Sequence, residues 1–172
     1  MGKMLKRRNF EAVEELPVGE TVSIGPLTIR ATYADHNGAR FRHGPQADTL
    51  GFIIEGGHSV YFPGDTDLFP DMATLSDNLD VALMPVWGWG PSLGAGHLNP
   101  RRAALALQML KPRLAIPIHW GTLFPFGLKW LFPQILMDPP SSFARYAARL
   151  APDVEVSVLQ PGQSISLKSP SE

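Results

Sequence analysis

Hydrophobic residues in this chain repeat at two different periods, and the order in which the periods come restricts the folds open to it. Thr21 to Ile24 and Leu27 to Ala34 alternate apolar and polar residues around Gly25-Pro26, the pattern of an antiparallel hairpin. Thr49 to Glu55 and Ser59 to Phe62 form a second apolar pair across Gly56-Gly57-His58. After Gly64-Asp65-Thr66 the period lengthens: Leu68, Met72 and Leu75 recur at helical spacing, and Leu79 to Met84 then reads as a buried strand. Pro85 to Gly96 is a loop with four glycines and two tryptophans, long enough that function explains it better than connection does. Asn99-Pro100 opens a helix, because Asn can cap and Pro is tolerated at the first helical position. That helix is expected to run to about Leu110, to bury Ala103, Leu107 and Leu110 on one face, and to end at Lys111-Pro112. Leu114 to Ile118 is the next strand, Ser141 to Leu150 a further helix, and Val154 to Leu159 with Ser164 to Leu167 a closing strand pair. Two hairpins followed by alternating helices and strands predict an α/β fold, a mixed sheet with helices on one face.

Composition narrows the function. A chain of 172 residues fits a single domain over 1–172, and a domain of that size buries roughly 70% of the surface its unfolded chain exposes. With 44% hydrophobic and 18% charged residues it is an ordinary globular sequence. The 15 Lys and Arg balance 16 Asp and Glu, so no overall field favours nucleic acid or an anionic membrane. The absence of cysteine removes disulfides, thiolate metal sites and Cys nucleophiles, and leaves metal chemistry to His and carboxylates. A reducing cytoplasm is the expected compartment. Met1 to Arg8 carries charge with no apolar run after it, unlike a signal peptide. The most apolar later stretch, Trp130 to Met137, is too short to span a bilayer and contains Pro133.

The chemistry is expected where strands stop. His36 follows the strand ending at Ala34, Asp65 follows Ser59–Phe62 and His119 follows Leu114–Ile118. Open α/β sheets bind ligands beyond the carboxyl ends of their strands. Imidazole and carboxylate suit zinc, and a carboxylate can bridge two ions. Taken singly, each has a plainer explanation: a hydrogen-bonded histidine, a carboxylate capping the helix that follows, or, for His97, a loop residue before a capped helix.

Their joint order carries more. Tyr33-Ala34-Asp35-His36, Gly51-Phe52-Ile53-Ile54-Glu55, Val60-Tyr61-Phe62-Pro63-Gly64-Asp65-Thr66, Gly96-His97-Leu98-Asn99-Pro100 and Pro117-Ile118-His119-Trp120-Gly121-Thr122 come in that sequence. The series resembles the latter part of metallo-β-lactamase-fold hydrolases over about Met4 to Leu159. It looks most like the branch containing N-acyl-phosphatidylethanolamine-hydrolysing phospholipase D and the ascorbate-phosphate lactonases. The resemblance implies the C-terminal half of an αββα sandwich and two zinc ions, with manganese or iron as alternatives. It implies metal ligation by His36, Asp65 and His119, with Asp65 bridging, and catalytic roles for Asp65 and His97 near the scissile group. The implied substrate is a small-molecule or lipid-like phosphodiester, lactone or related ester. No role follows for His43 or His58.

The family's upstream His-x-His-x-Asp-His cluster is absent from this sequence. Counting Asp65 twice, each ion keeps two protein ligands, where a catalytic zinc normally has at least three. Two functions therefore stand: a hydrolase that needs a missing N-terminal half, and a catalytically inactive remnant or binding module. Either way the inner sheet face, carrying Phe52, Ile54, Val60, Phe62, Val81, Leu83, Leu114 and Ile116, should be apolar and drive self-association. Trp87 and Trp89 could line an acyl pocket or pack on the core. Arg101 and Arg102 could meet a phosphate or be solvated.

Overall fold

The computed structural model describes residues 2–38, 48–75, 77–88, 93–122, 127, 130, 131 and 133–167. His43 and Trp89 lie outside them. A short helix α1 (Gly2–Lys6) precedes two hairpins, β1 (Thr21–Ile24) with β2 (Leu27–Tyr33) and β3 (Leu50–Glu55) with β4 (Ser59–Phe62). A 3₁₀ turn at Pro70–Thr74 leads to β5 (Val81–Pro85), α2 (Pro100–Leu110) and β6 (Leu114–Ile118). Helices α3 (Pro133–Met137) and α4 (Pro139–Leu150) and strand β7 (Glu155–Val156) complete the fold. Among the described residues no helix is long and apolar enough to cross a membrane.

All seven strands form one sheet in sequence order. The pairs from β1 to β4 are antiparallel, and those from β4 to β7 are parallel. Two reversals, from β2 to β3 and from β3 to β4, point β4 the same way as β2, and β5 and β6 follow β4. The carboxyl ends of β2, β4, β5 and β6 therefore share one edge.

Register divides the side chains between two faces. Ile53 opposes Tyr61, Tyr61 opposes Ala82, and Ala82 opposes Ala115, so these four share a face. All four are fully buried, against Ala103, Ala104, Ala106, Leu107 and Leu110 of α2 and Phe143 and Ala147 of α4. The small residues of α2 let it lie close to the sheet, and the helix is well terminated. Asn99 Oδ1 accepts from the Arg102 N–H at 2.9 Å, and Lys111 adopts a left-handed conformation before Pro112. On the other face Phe52, Ile54, Val60, Leu83 and Ile116 are only half-buried, and Phe62 is 39% exposed. Val81 and Leu114, also on that face, are buried. This is the mixed sheet with helices on one face that the sequence predicts.

Two elements differ from the sequence reading. The closing strand pair does not form: only Glu155–Val156 is strand, and it pairs in parallel with β6. The Gln160–Gln163 turn is present, but Ser164 to Ser166 are exposed, so a strand there would bury no apolar face. The Leu68–Leu75 segment is a five-residue 3₁₀ turn rather than an α-helix. Pro70 opens it, and its bonds, Met72 N–H to the Phe69 carbonyl and Leu75 N–H to the Met72 carbonyl, span three residues.

At the edge opposite those carboxyl ends, Asp80 ties three strand starts together. Its Oδ2 accepts from the Ser59 N–H at 2.9 Å, and its Oδ1 pairs with Arg113 Nη1 at 3.1 Å. His58 Nδ1 lies 3.4 Å from Oδ2. The Ser59 amide first, with Arg113 and His58 adding, holds the Asp80 carboxyl below its ordinary value. A depressed carboxyl stabilises the fold above its unfolded value of about 3.9 and loses that contribution as pH falls through the folded value. Asp80→Asn is therefore expected to lower the melting temperature at neutral pH. It should also flatten the decline of stability below about pH 4, as read by thermal melts across an acid series.

Candidate metal centre

The shared edge carries the candidate residues. His36 lies three residues beyond the last residue of β2, Asp65 three beyond β4, and His119 immediately after β6. His97 is three residues ahead of α2. One ligand atom from each of His36, Asp65 and His97 can be chosen so that all lie within 4.8 Å of one another. The His36 and His97 rings meet edge to face with centroids 4.8 Å apart. His119 Nε2 lies 3.2 Å from Asp65 Oδ1. All four side chains predicted from sequence thus converge, with Asp65 between His119 and the other two histidines.

The loops reach this geometry through local strain and close approach. Gly64 has φ +66°, and a Cβ there would lie 2.9 Å from the Leu50 carbonyl oxygen. Gly96 has φ +85°, and a Cβ would come 3.2 Å from His36 Cα. His119 itself has φ +60°, uncommon for a residue with a side chain. That conformation turns the chain sharply off β6 and is held by a hydrogen bond from His119 Nδ1 to the Trp87 carbonyl at 2.9 Å.

Hydrogen bonds knit the loops together. Thr66 is fully buried, and its Oγ1 accepts from the Asp35 N–H at 2.8 Å and donates to the Asp67 carbonyl at 2.9 Å. The Asp67 N–H donates to the Asp35 carbonyl at 2.8 Å, and the Leu98 N–H to the Thr66 carbonyl at 2.9 Å. Asp67 Oδ1 accepts from Arg102 Nε at 2.6 Å and from the Leu68 N–H at 2.7 Å. Arg102 is thus paired with Asp67 through Nε. Nor does Asp65 cap the turn that follows, whose Phe69 N-cap makes no side-chain bond. The sequence reading missed Thr66 and Asp67, and gave Arg102 a phosphate or solvent as its partner rather than Asp67. Gly-Asp-Thr signalled a turn, but nothing in the sequence showed which loops its hydroxyl would join.

Two observations test whether these groups suit a metal ion. A carbonyl only accepts, so His119 Nδ1 must carry the proton, and in a neutral ring Nε2 then offers a lone pair. A lone pair facing a carboxylate oxygen at 3.2 Å is favourable only with a proton or a cation between them. Among the described residues His97 Nδ1 is buried with no hydrogen-bond partner, a cost that a ligand at this ring would relieve. Histidine and carboxylate donors of this kind fit a divalent cation.

Clefts open beside the cluster. One of about 330 Å³ is lined by Gly88, His119, Trp120 and Thr122, and one of about 370 Å³ includes Tyr33, His36, Asn37, Asp48 and Thr49. A larger cleft, about 510 Å³, lies around His58, Asp80 and Arg113 at the far edge, away from this cluster. Trp87 is half-buried, and its carbonyl orients His119.

Residues 2–120 match the family model described as the beta-lactamase superfamily domain. The chain is 34% identical over 163 residues to a UPF0173 metal-dependent hydrolase of Methanopyrus kandleri, covering 91% of this chain and 64% of that protein. It is 36% identical over 121 residues to one of Caldivirga maquilingensis, covering 69% of this chain and 46% of that protein. Among solved structures it is similar to Igni18, a metallo hydrolase from the hyperthermophilic archaeon Ignicoccus hospitalis. The TM-score there is 0.73 at 25% identity, over 96% of this chain and 65% of the other. The chain thus spans about half to two-thirds of the length of the relatives it matches.

Gly64→Ala is expected to cost about 1–3 kcal/mol by forcing a side chain into the left-handed region against Leu50. Urea unfolding should show a lower midpoint, and the His36–His97 ring contact should weaken in nuclear Overhauser spectra.

Proposed function

The chain belongs to the beta-lactamase superfamily domain family, and on that premise we propose that it is the metal-binding portion of a metal-dependent hydrolase. His36, Asp65 and His119 are its metal ligands, and His97 works beside the scissile bond. The observation that carries this reading is the position of Asp65. One of its oxygens lies 3.2 Å from His119, and the carboxylate lies within 4.8 Å of both His36 and His97. A carboxylate so placed can serve two cations at once. Divalent cations bound there would supply Lewis acidity and a hydrolytic nucleophile near neutral pH, lowering the pKa of water from about 15.7 to near 7. Zinc is the first expectation, and the same donors accept manganese or iron. The chain's own groups do the rest. The Trp87 carbonyl fixes the His119 tautomer, and the cleft at Gly88, His119 and Trp120 offers a wall for the apolar part of an ester. The substrate class is a small-molecule or lipid-like phosphodiester, lactone or related ester, and the compartment is the cytoplasm.

Single alanine substitutions test the assignment. His36→Ala, Asp65→Ala and His119→Ala are each expected to weaken cobalt or zinc binding by about tenfold or more, as measured by titration calorimetry. His97→Ala should change it by less than about threefold, because His97 serves the substrate rather than the metal. An equal loss at His97 would make it a further ligand and overturn that division of roles.

A second reading, an inactive remnant or binding module, is favoured by the lack of a His-x-His-x-Asp-His cluster in these 172 residues. Without it each ion has two protein donors in the first assignment. The chain alone, given zinc or manganese, is expected to hydrolyse bis-nitrophenyl phosphate at background rates. Mixing it with the N-terminal portion of the Methanopyrus kandleri relative should restore chelator-sensitive turnover. A folded, metal-loaded mixture inert to phosphodiester, lactone and carboxylic ester probes would remove the hydrolase reading and leave the module.

The half-buried apolar sheet face supports association as well. Covering Phe52, Ile54, Val60, Phe62, Leu83 and Ile116 at roughly 25 cal/mol per Å² would recover a substantial part of a domain's stability. The isolated chain is expected to self-associate through this face, either as a stand-in for a missing N-terminal half or as aggregate. Size exclusion with light scattering should show a mass above one chain, and a cooperatively melting monomer at tens of micromolar would refute it.

A further inference from the structure

Thr66 neither occupies a ligand position nor is exposed to substrate, yet it is bonded to the loops that carry His36 and His97. It follows Asp65 directly in the chain. Its hydroxyl holds the amide of Asp35, the residue before His36, at 2.8 Å. Its carbonyl accepts the amide of Leu98, the residue after His97, at 2.9 Å. The Asp67 N–H to Asp35 carbonyl bond closes the first connection into a two-sided bridge. Three loops distant in sequence are therefore fixed one residue away from His36, Asp65 and His97.

We propose that Thr66 is a positioning residue whose buried hydroxyl sets the spacing of His36 against Asp65 before any metal arrives, so that the centre is preorganised rather than assembled by the ion. The inference rests on the metal-binding reading above. The hydroxyl has two partners, a donor amide and an acceptor carbonyl, so its one proton and one of its lone pairs are both engaged where it lies. Valine matches threonine in shape but leaves the Asp35 amide without its acceptor and the Asp67 carbonyl without its donor. Serine keeps both bonds. Groups that orient metal ligands typically change metal affinity by about 10- to 100-fold when removed, and the loss here should come through His36 moving relative to Asp65.

The test compares wild type with Thr66→Val, Thr66→Ser and a distant core control, Phe143→Leu, whose site is fully buried on α4. Cobalt affinity is read by absorbance titration, and amide hydrogen exchange is read on the metal-free proteins. Thr66→Val is expected to weaken cobalt binding by about 10- to 100-fold and to speed exchange of the Asp35 amide, while β5 and β6 amides keep wild-type rates. Thr66→Ser should stay within about threefold of wild type, and Phe143→Leu should lose stability without losing affinity. Wild-type cobalt affinity in Thr66→Val, or an equal loss in Phe143→Leu, would overturn the proposal. Should Thr66→Val fail to fold, metal-free wild type decides. An Asp35 amide protected like those of β5 supports a preset loop, and rapid exchange refutes it. A wild-type chain that binds no cobalt would defeat the metal-binding reading instead, and the exchange result would still decide whether Thr66 holds the loops.

Discussion

A strand delivers its last residue to one edge of a sheet, and strands that run the same way deliver theirs to the same edge. Because β2, β4, β5 and β6 are codirectional, the segments that follow them meet without any long excursion. His36, Asp65, the Trp87 carbonyl and His119 are separated by tens of residues in sequence and by a few ångströms in space. Reversing one of those strands would send its ligand to the far edge, where Asp80 and Arg113 lie. The direction of four strands is therefore a precondition of the chemistry, and the packing of α2 and α4 against Ile53, Tyr61, Ala82 and Ala115 holds that sheet in place.

Several special backbone and side-chain features fall at the site edge. Gly64 and Gly96 are left-handed, His119 is left-handed with a side chain, and, among the described residues, His97 Nδ1 is buried without a partner. The glycines adopt this conformation without penalty, whereas the His119 backbone and the buried His97 nitrogen each cost stability. They are sustained by bonds that do no chemistry themselves: Thr66 to Asp35, Leu98 to Thr66, Arg102 to Asp67, and His119 to Trp87. Strain at one edge against a hydrogen-bond network behind it is the pattern expected where ligand geometry rather than stability governs the residues. The family membership of residues 2–120 and the relatives named metal-dependent hydrolases agree with it.

Strand order and strand ends were legible in the sequence because turns and burial wrote them there. Gly25-Pro26 and Gly56-Gly57-His58 marked the hairpins, and continuous apolar runs marked the parallel strands. Asn99-Pro100 and Lys111-Pro112 bounded α2 within a residue. The failures share a cause. Leu68, Met72 and Leu75 have helical spacing, but spacing does not distinguish an α-helix from a short 3₁₀ turn when a proline opens it. Val154–Leu159 and Ser164–Leu167 look like strands locally, yet the second has no face to bury. Convergence of His36, Asp65 and His119 followed from strand ends, and His97 entered through the family resemblance. The roles of Thr66, Asp67 and Arg102 did not follow, since a hydroxyl or carboxylate in a loop gives no sign of its long-range partner.

The central proposal is that Asp65 shares metal ions with His36 and His119. Anomalous scattering at the zinc edge from crystals of the chain grown with zinc tests it most directly. The expected result is an anomalous peak within bonding distance, about 2.0–2.2 Å, of Asp65 and of at least one of His36 and His119. Peaks only elsewhere, for instance between His58 and Asp80 at the far edge, or none at the histidine cluster in a crystal that retains this fold, would contradict it.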